Sequence, residues 1–211
     1  MDLLIVGAVL WLGVHIGIAA TPVRAAMVRA LDENRFKGVF SLLALVALAV
    51  LLFGYVRADT SLVWVAPAWF VAFVDVAMLP VFVLLACALI APRGILPVTR
   101  HPMMAAVGVW SGLHLLAAGD SASILLFGTF LATVLIGLPS ADTKKARRAP
   151  EAAAALHGVT SRLPFAAILA GRNRLVLGQI GWVAPLAGLV AWGAAIYLHQ
   201  WVIGVSPLPV W

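Results

Sequence analysis

Six long stretches of this chain hold almost no charge, and the charged residues crowd into the gaps between them. The stretches are Leu3 to Ala20, Gly38 to Val56, Ala68 to Ala91, Met103 to Ala118, Ser121 to Leu138 and Leu177 to Ile203, and the only acidic or basic residue inside any of them is Asp75. A helix needs about 20 apolar residues, at roughly 1.5 Å each, to cross a hydrocarbon layer of about 30 Å. Runs of this length are therefore read as membrane spans, with the run from Met103 the shortest of the set. The composition agrees, because 64% of the 211 residues are apolar and 10% charged. A water-soluble fold carries about 25% charged residues, so a soluble globular domain is excluded. The expected fold is all-α: one membrane domain over residues 1–211, a bundle of about six transmembrane helices.

The placement of the basic residues orients such a bundle. Arg24, Arg29, Arg35 and Lys37 fall in the first gap and Arg93 and Arg100 in the third. Lys144, Lys145, Arg147, Arg148, Arg162, Arg172 and Arg174 fall in the fifth, Arg57 stands alone in the second, and the fourth has none. If all six runs span, thirteen of the fourteen basic residues share one side. The positive-inside rule makes that side cytoplasmic and puts both termini outside the cytoplasm. The net charge of +6 is thus read as topology and not as a nucleic-acid surface. The N-terminus lacks the basic segment and small-residue cleavage site of a secretory signal, so the first run is expected to be a mature span. Cys87 is the only cysteine, which leaves no internal disulfide and no thiolate metal site.

The fifth gap, Pro139 to Gly178, is the one long polar stretch, a basic cytoplasmic loop before the last helix. It contains a basic run, an Ala-rich helical piece from Glu151 to His157, and an apolar patch from Leu163 to Leu169 that is too short to span. Flanked by Arg162, Arg172 and Arg174, the patch reads either as a segment at the cytoplasmic membrane interface or as part of a solvated loop. Trp64, Trp69, Trp201 and Trp211 sit near span ends, where indole rings commonly anchor helices.

Polar residues inside the spans are few: His15, Asp75, His114 and, near the end of the last span, His199. Intramembrane ionisable groups are costly and mark functional sites unless they serve helix-to-helix hydrogen bonding. His15 and His114 share a context, Trp11-x-Gly-x-His15-x-x-x-Ala19 and Trp110-x-Gly-x-His114-x-x-x-Ala118. At about 100° per residue, the Trp and Ala lie within about 40° of the His, and the Gly lies about 160° away. Each helix would present an aromatic, an imidazole and a small residue on one face. Gly13-x-x-x-Gly17 and Gly108-x-x-x-Gly112 would then pack neighbouring helices on another face. A flat cofactor ligated by imidazole suits such faces, and haem iron is the natural candidate. Asp75 is open to two readings, a proton relay or partner of a His N–H, and a neutral acid bonded to a neighbouring helix. Arg100 and His101, in Thr99-Arg100-His101-Pro102, start the fourth span, where Pro at the first turn wastes no hydrogen bond. His199 and Trp201 read as interfacial and His157 as solvated.

The order of motifs resembles a known family. His15-Ile-Gly-Ile-Ala-Ala, Arg35-Phe-Lys-Gly with Phe40-Ser-Leu, Thr99-Arg-His-Pro-Met103, Trp110-Ser-Gly-Leu-His114, Gly119-Asp120 and Pro164-Phe-Ala-Ala-Ile-Leu-Ala-Gly-Arg172 are together similar to the NnrU family of bacterial inner-membrane proteins. That resemblance implies a role in nitrite and nitric oxide (denitrification) metabolism. The family is related to the plastid zeta-carotene isomerases, membrane enzymes that use haem b to isomerise a central cis double bond. Carried over by motif, the resemblance implies His15 and His114 as haem ligands, the same pair whose helix faces Trp11 and Trp110 would wall. Ser111 stands where those enzymes have a cysteine implicated in function. Arg-His-Pro alone also resembles membrane methyltransferases, but Met103 and Met104 replace the aromatic expected there. Three readings follow: a haem b protein of nitrogen-oxide metabolism, for which nitric oxide is a ligand; a haem-dependent isomerase of a carotenoid or other membrane polyene; and a metal-free helical scaffold.

Overall fold

The structure is a computed structural model and describes residues 1–207, so the expectation for Trp211 lies outside the described residues. The apolar runs are helices, as their length requires. In chain order these are α1 (Asp2–Leu12), a π-helical turn (Gly13–Ile18), α2 (Val23–Leu31), α3 (Glu33–Val56), α4 (Ala68–Ile90) and α5 (Pro102–Ala118). They continue with α6 (Ser121–Arg148), α7 (Pro150–Val159), α8 (Ala166–Leu169), α9 (Leu177–Ile180) and α10 (Val183–Ile203), and no strand occurs among the described residues. The fold is all-α.

Four helices, α3, α4, α6 and α10, are long and apolar enough to cross a membrane. Segments Asp2–Ile18 and Val23–Leu31, bent by 78°, make a fifth crossing if counted as one span. Helix α5 has 17 residues, about 26 Å at 1.5 Å per residue and short of a 30 Å core. The protein is therefore a multi-pass membrane protein with four to five long spans, where the sequence suggests about six.

Three boundaries differ from the sequence reading, each for a local reason. Most of the first basic gap is helical, because Asp32 caps α3 by accepting from the backbone N–H groups of Asn34 and Arg35 at 2.8 and 3.0 Å. An Asp in this role satisfies donors that have no partner inside the helix. Helix α6 runs through Pro139 to Arg148 instead of ending near Leu138, and Lys145, Arg147 and Arg148 in its last turn complement the negative end of the helix dipole. The last run is split at Gly181, whose φ of 69° only glycine adopts without strain. The Ala-rich piece expected at Glu151 to His157 is helix α7.

The chain divides into two compact units, the first Met1–Val65 with Ala118–Ala141 and the second Ala66–Ala117 with the chain from Asp142 onward. In the first unit, α1 lies against α3 with backbones in contact. A Cβ on Gly7 would fall 2.6 Å from the Leu51 nitrogen, and one on Gly54 would fall 2.5 Å from the Leu4 nitrogen. These glycines do the packing expected of Gly13, Gly17 and Gly112, where an added Cβ would meet nothing within 4 Å. The α1–α3 crossing lies nearer the N-terminus, and Gly13 and Gly17 fall on the π-helical turn. In the second unit, Val74, Met78, Val81 and Ala106 form one core cluster against Phe82, Trp110, Leu113 and Trp192. Cys87, Ile95, Val98 and Ala184 form another. Gly188 admits α10 to within 2.5 Å of the Val83 Cα, measured from the Cβ it lacks.

Candidate functional site

His15 stands on the π-helical turn Gly13–Ile18. The Ala19 N–H donates to the Val14 carbonyl at 3.1 Å, one residue further back than an α-helix allows. A single π turn inside a helix recurs at functional sites because the extra residue displaces one side chain from the regular face. The His15 Nδ1 lies 3.1 Å from the Trp11 carbonyl. A carbonyl only accepts, so Nδ1 carries the proton and the Nε2 of the neutral ring carries the lone pair. The Trp11 ring stacks on the imidazole at 3.9 Å and 24°, and Phe40 meets it edge-on at 5.6 Å. Trp11 is itself fixed, its Nε1–H donating to Thr133 Oγ1 at 3.0 Å with Phe130 edge-on at 5.0 Å. The shared helix face read from the sequence is realised here as a direct stack.

His114, in the second unit, repeats the arrangement on a regular α-helix. Its Nδ1–H donates to the Trp110 carbonyl at 2.9 Å, and the Trp110 ring lies 5.4 Å away, tilted by 45°. The neutral tautomer is thereby the same as that of His15. Ser111 is fully buried, and its hydroxyl donates to the Val107 and Gly108 carbonyls of its own helix at 2.7 and 3.2 Å. That geometry commits the hydroxyl to the backbone.

Asp75 lies in α4, its Oδ2 enclosed and without a hydrogen-bond partner. Its backbone carbonyl accepts from the Trp192 Nε1–H at 2.9 Å. His199 interacts electrostatically with both Asp75 and His114, while its Nδ1–H donates to the Val205 carbonyl at 2.7 Å. The second unit thus gathers Asp75, His114 and His199 from α4, α5 and α10.

Arg100 and His101 belong to a different cluster, centred on Asp142, which sequence reasoning missed. Asp142 sits in α6 just past its apolar stretch, with its side chain 4% exposed. Its Oδ2 accepts from Arg100 Nη1 and Arg162 Nε, each at 2.6 Å, and its Oδ1 from His101 Nε2 at 2.8 Å. The other nitrogens of Arg100 reach Thr160, Nε to its hydroxyl at 3.0 Å and Nη2 to its carbonyl at 3.1 Å. Burial alone would push the Asp142 carboxyl up. The bonds from His101 and Arg162 and the Arg100 charge outweigh that and hold it at about 2. His157, read from the sequence as solvated, has its Nε2 enclosed 3.4 Å from Asp142 Oδ1. The available signal was that Asp142 is the only acid between Asp120 and Glu151, in a gap otherwise rich in Lys and Arg.

A multi-pass all-α membrane protein with two histidines in apolar helices, each paired with a tryptophan one turn earlier, is the class these features define. The family is shown directly, since the model for the NnrU protein family matches residues 3–207, and the chain belongs to that family. It is also similar to a 15-cis-zeta-carotene isomerase, chloroplastic, of Zea mays, at 35% identity over 82 residues. That match covers 39% of this chain and 22% of the length of the maize protein. No solved structure matches the chain.

Proposed function

We propose that this NnrU-family protein is a haem-dependent cis–trans isomerase acting on a carotenoid or another polyene dissolved in the bilayer, and that His15 and His114 are the residues that would hold haem. The observation that carries the reading is the tautomer shared by the two histidines. Each spends its Nδ1–H on the carbonyl four residues earlier, which leaves Nε2 as the ligating atom and fixes the ring, as second-shell bonds to metal-ligating histidines do. The residues therefore fit haem b. Among the described residues no group of three or more His, Cys, Asp or Glu side chains could hold a metal ion, whereas haem would need only one or two imidazoles from the protein. When bound, haem supplies an iron whose redox change and Lewis acidity act on a double bond.

The chain itself would bind, orient and exclude water. Trp11, stacked on His15, and Trp110, beside His114, give rigid apolar surfaces suited to a flat ring or a conjugated chain. Apolar spans keep the site dry. A cis–trans change moves no atoms in or out, so the reaction asks for no proton donor. The similarity to a zeta-carotene isomerase favours this reading over a role in nitrogen-oxide metabolism, for which neither the geometry nor the comparisons offer a specific feature. We further propose, from the one-sided placement of the basic residues, that the protein lies in the bacterial inner membrane with α5 as a sixth crossing and both termini on the periplasmic side.

The test is a reduced-minus-oxidised spectrum and a pyridine haemochrome assay on detergent-purified protein, followed by chromatographic assay of 15-cis-zeta-carotene conversion. A b-type spectrum near one haem per chain, lost in His15→Ala and His114→Ala, with conversion that tracks haem content, is the expected result. Absence of haem after reconstitution removes the cofactor and the isomerase with it. Haem without conversion of any polyene leaves the ligands and refutes the activity.

A further inference from the structure

The segment from Ser161 to Leu177 lies between α7 and α9 and forms no part of any spanning helix, yet it carries some of the most exposed apolar side chains of the protein. Leu163 is 71% exposed, Phe165 52%, Leu169 85% and Leu177 72%. The inner side of the segment is firmly held. The Arg100 N–H donates to the Ser161 carbonyl and the Phe165 N–H to the Val98 carbonyl, both at 2.7 Å, and the Thr99 hydroxyl donates to the Arg162 carbonyl at 3.0 Å. Ala167 is fully buried and Ile168 packs against the Cys87 cluster. The outward residues are therefore fixed in place.

Their depth is set by the same bonds. Val98, Thr99 and Arg100 lie in the short connection between the end of α4 at Ile90 and the start of α5 at Pro102. A segment tied to that connection lies just past the end of α4, one of the helices long and apolar enough to span. Phe165 adopts φ 63°, a left-handed conformation that costs a bulky aromatic on the order of 1 kcal/mol or more, and its ring points out from the protein. Around this apolar crown the charge is one-sided. Between Arg93 and Arg174 this unit holds nine basic side chains, four of them near the end of α6, against Asp142 and Glu151 as the only acids. Arg162, Arg172 and Arg174 border the crown directly in sequence.

We propose that Leu163, Phe165 and Leu169 insert into the leaflet at the Arg100 end of the protein, with Arg174 on the phosphates of anionic phospholipids, while Arg162 and Arg172 stay bonded to Asp142 and to the Gly158 carbonyl. An apolar face bordered by arginines is the chemistry that recognises such a surface. The segment is then a second, in-plane membrane contact, independent of the spans and of any cofactor. Of the two sequence readings of the fifth gap, it takes the interfacial one.

Spin labels on cysteines introduced at Phe165 and Leu169, in nanodiscs, test this. Buried Cys87 stays unlabelled, and Asp59→Cys, in an exposed loop, gives the aqueous reference. Both substituted positions are exposed, so folding is not at stake. Collision with oxygen relative to a water-soluble nickel chelate is expected to be at least several-fold higher at 165 and 169 than at 59. It is also expected to be higher in bilayers containing phosphatidylglycerol than in phosphatidylcholine alone, with Arg174→Gln shrinking that difference. Nickel access at 165 and 169 equal to that at 59 overturns the proposal and leaves the patch facing water, as for a protein partner. A high ratio indifferent to phosphatidylglycerol overturns the headgroup assignment.

Discussion

Replacing Asp142 by Asn keeps the size of the side chain and removes only its charge, which isolates what the carboxylate does in the second unit. A carboxyl held at about 2 instead of 3.8 is worth about 2 kcal/mol at neutral pH, at roughly 1.36 kcal/mol per tenfold change in proton affinity. The amide oxygen of Asn can still accept from Arg100 and Arg162, and its NH2 group can face His101, whose ring can switch tautomer to accept. The loss should therefore stay near the charge contribution, about 2–3 kcal/mol. Asp142→Ala has no such escape. It strands the Arg100 side chain at 9% exposure, and breaking a buried pair in this way costs about 3–5 kcal/mol. Arg162, 46% exposed, can turn to water, and Arg162→Gln should cost less than about 1 kcal/mol. The assay is unfolding by denaturant titration in a fixed detergent, at neutral pH and again between pH 4 and 2. Because the folded carboxyl titrates below its ordinary value, its contribution is complete above 3.8 and disappears as the pH falls towards about 2. Wild type should lose stability through that window, and Asp142→Asn should not lose this part. Equal stability of the Asn variant and wild type at pH 7, within about 0.5 kcal/mol, refutes the reasoning.

Two further expectations concern the first unit. Gly7→Leu and Gly54→Leu drive new atoms into the facing backbones of α3 and α1, where even a Cβ would lie 2.6 and 2.5 Å from Leu51 N and Leu4 N; each should destabilise by about 1–3 kcal/mol or more, whereas Gly13→Ala and Gly17→Ala should unfold within about 0.5 kcal/mol of wild type. Thr133→Val removes the acceptor of the Trp11 Nε1–H and should cost about 1 kcal/mol; if Trp11 orients His15, the variant should also shift the absorption of bound haem, which an unchanged spectrum would contradict.

The sequence makes the helices legible because in a membrane chain length and lack of charge are enough, and every apolar run named is helical. It also makes the Trp–His pairing legible, since a spacing of four places both rings on one face whatever surrounds them. It does not reveal which glycines pack. Every side of these runs is apolar, so no periodicity separates Gly7 and Gly54, which touch a neighbour, from Gly13, Gly17 and Gly112, which do not. Pro139 looked like an end because a proline inside a helix removes a donor, but α6 tolerates that and carries Asp142 one turn further. Asp142 itself was hidden by its surroundings. In a run of Lys and Arg a single acid reads as a solvated exception, and only folding shows that Arg100, His101 and Arg162 converge on it. The π-helical turn under His15 has no signature in Gly-Val-His-Ile-Gly-Ile beyond its two glycines.

The anchoring of Arg100 also sets a timetable for making the protein. Its partners Asp142 and Thr160 lie 42 and 60 residues later in the chain. At a synthesis rate of roughly 5–20 residues per second, Arg100 is made about 3–12 s before Thr160 exists. During that interval the arginine at the mouth of α5 has only water and lipid phosphate to bond. Closure of the second unit is thus a late event, gated by translation of a segment that never crosses the bilayer, and a chain truncated before Thr160 would hold all of α5 but none of the contacts to Thr160 and Arg162 that help hold its start in place.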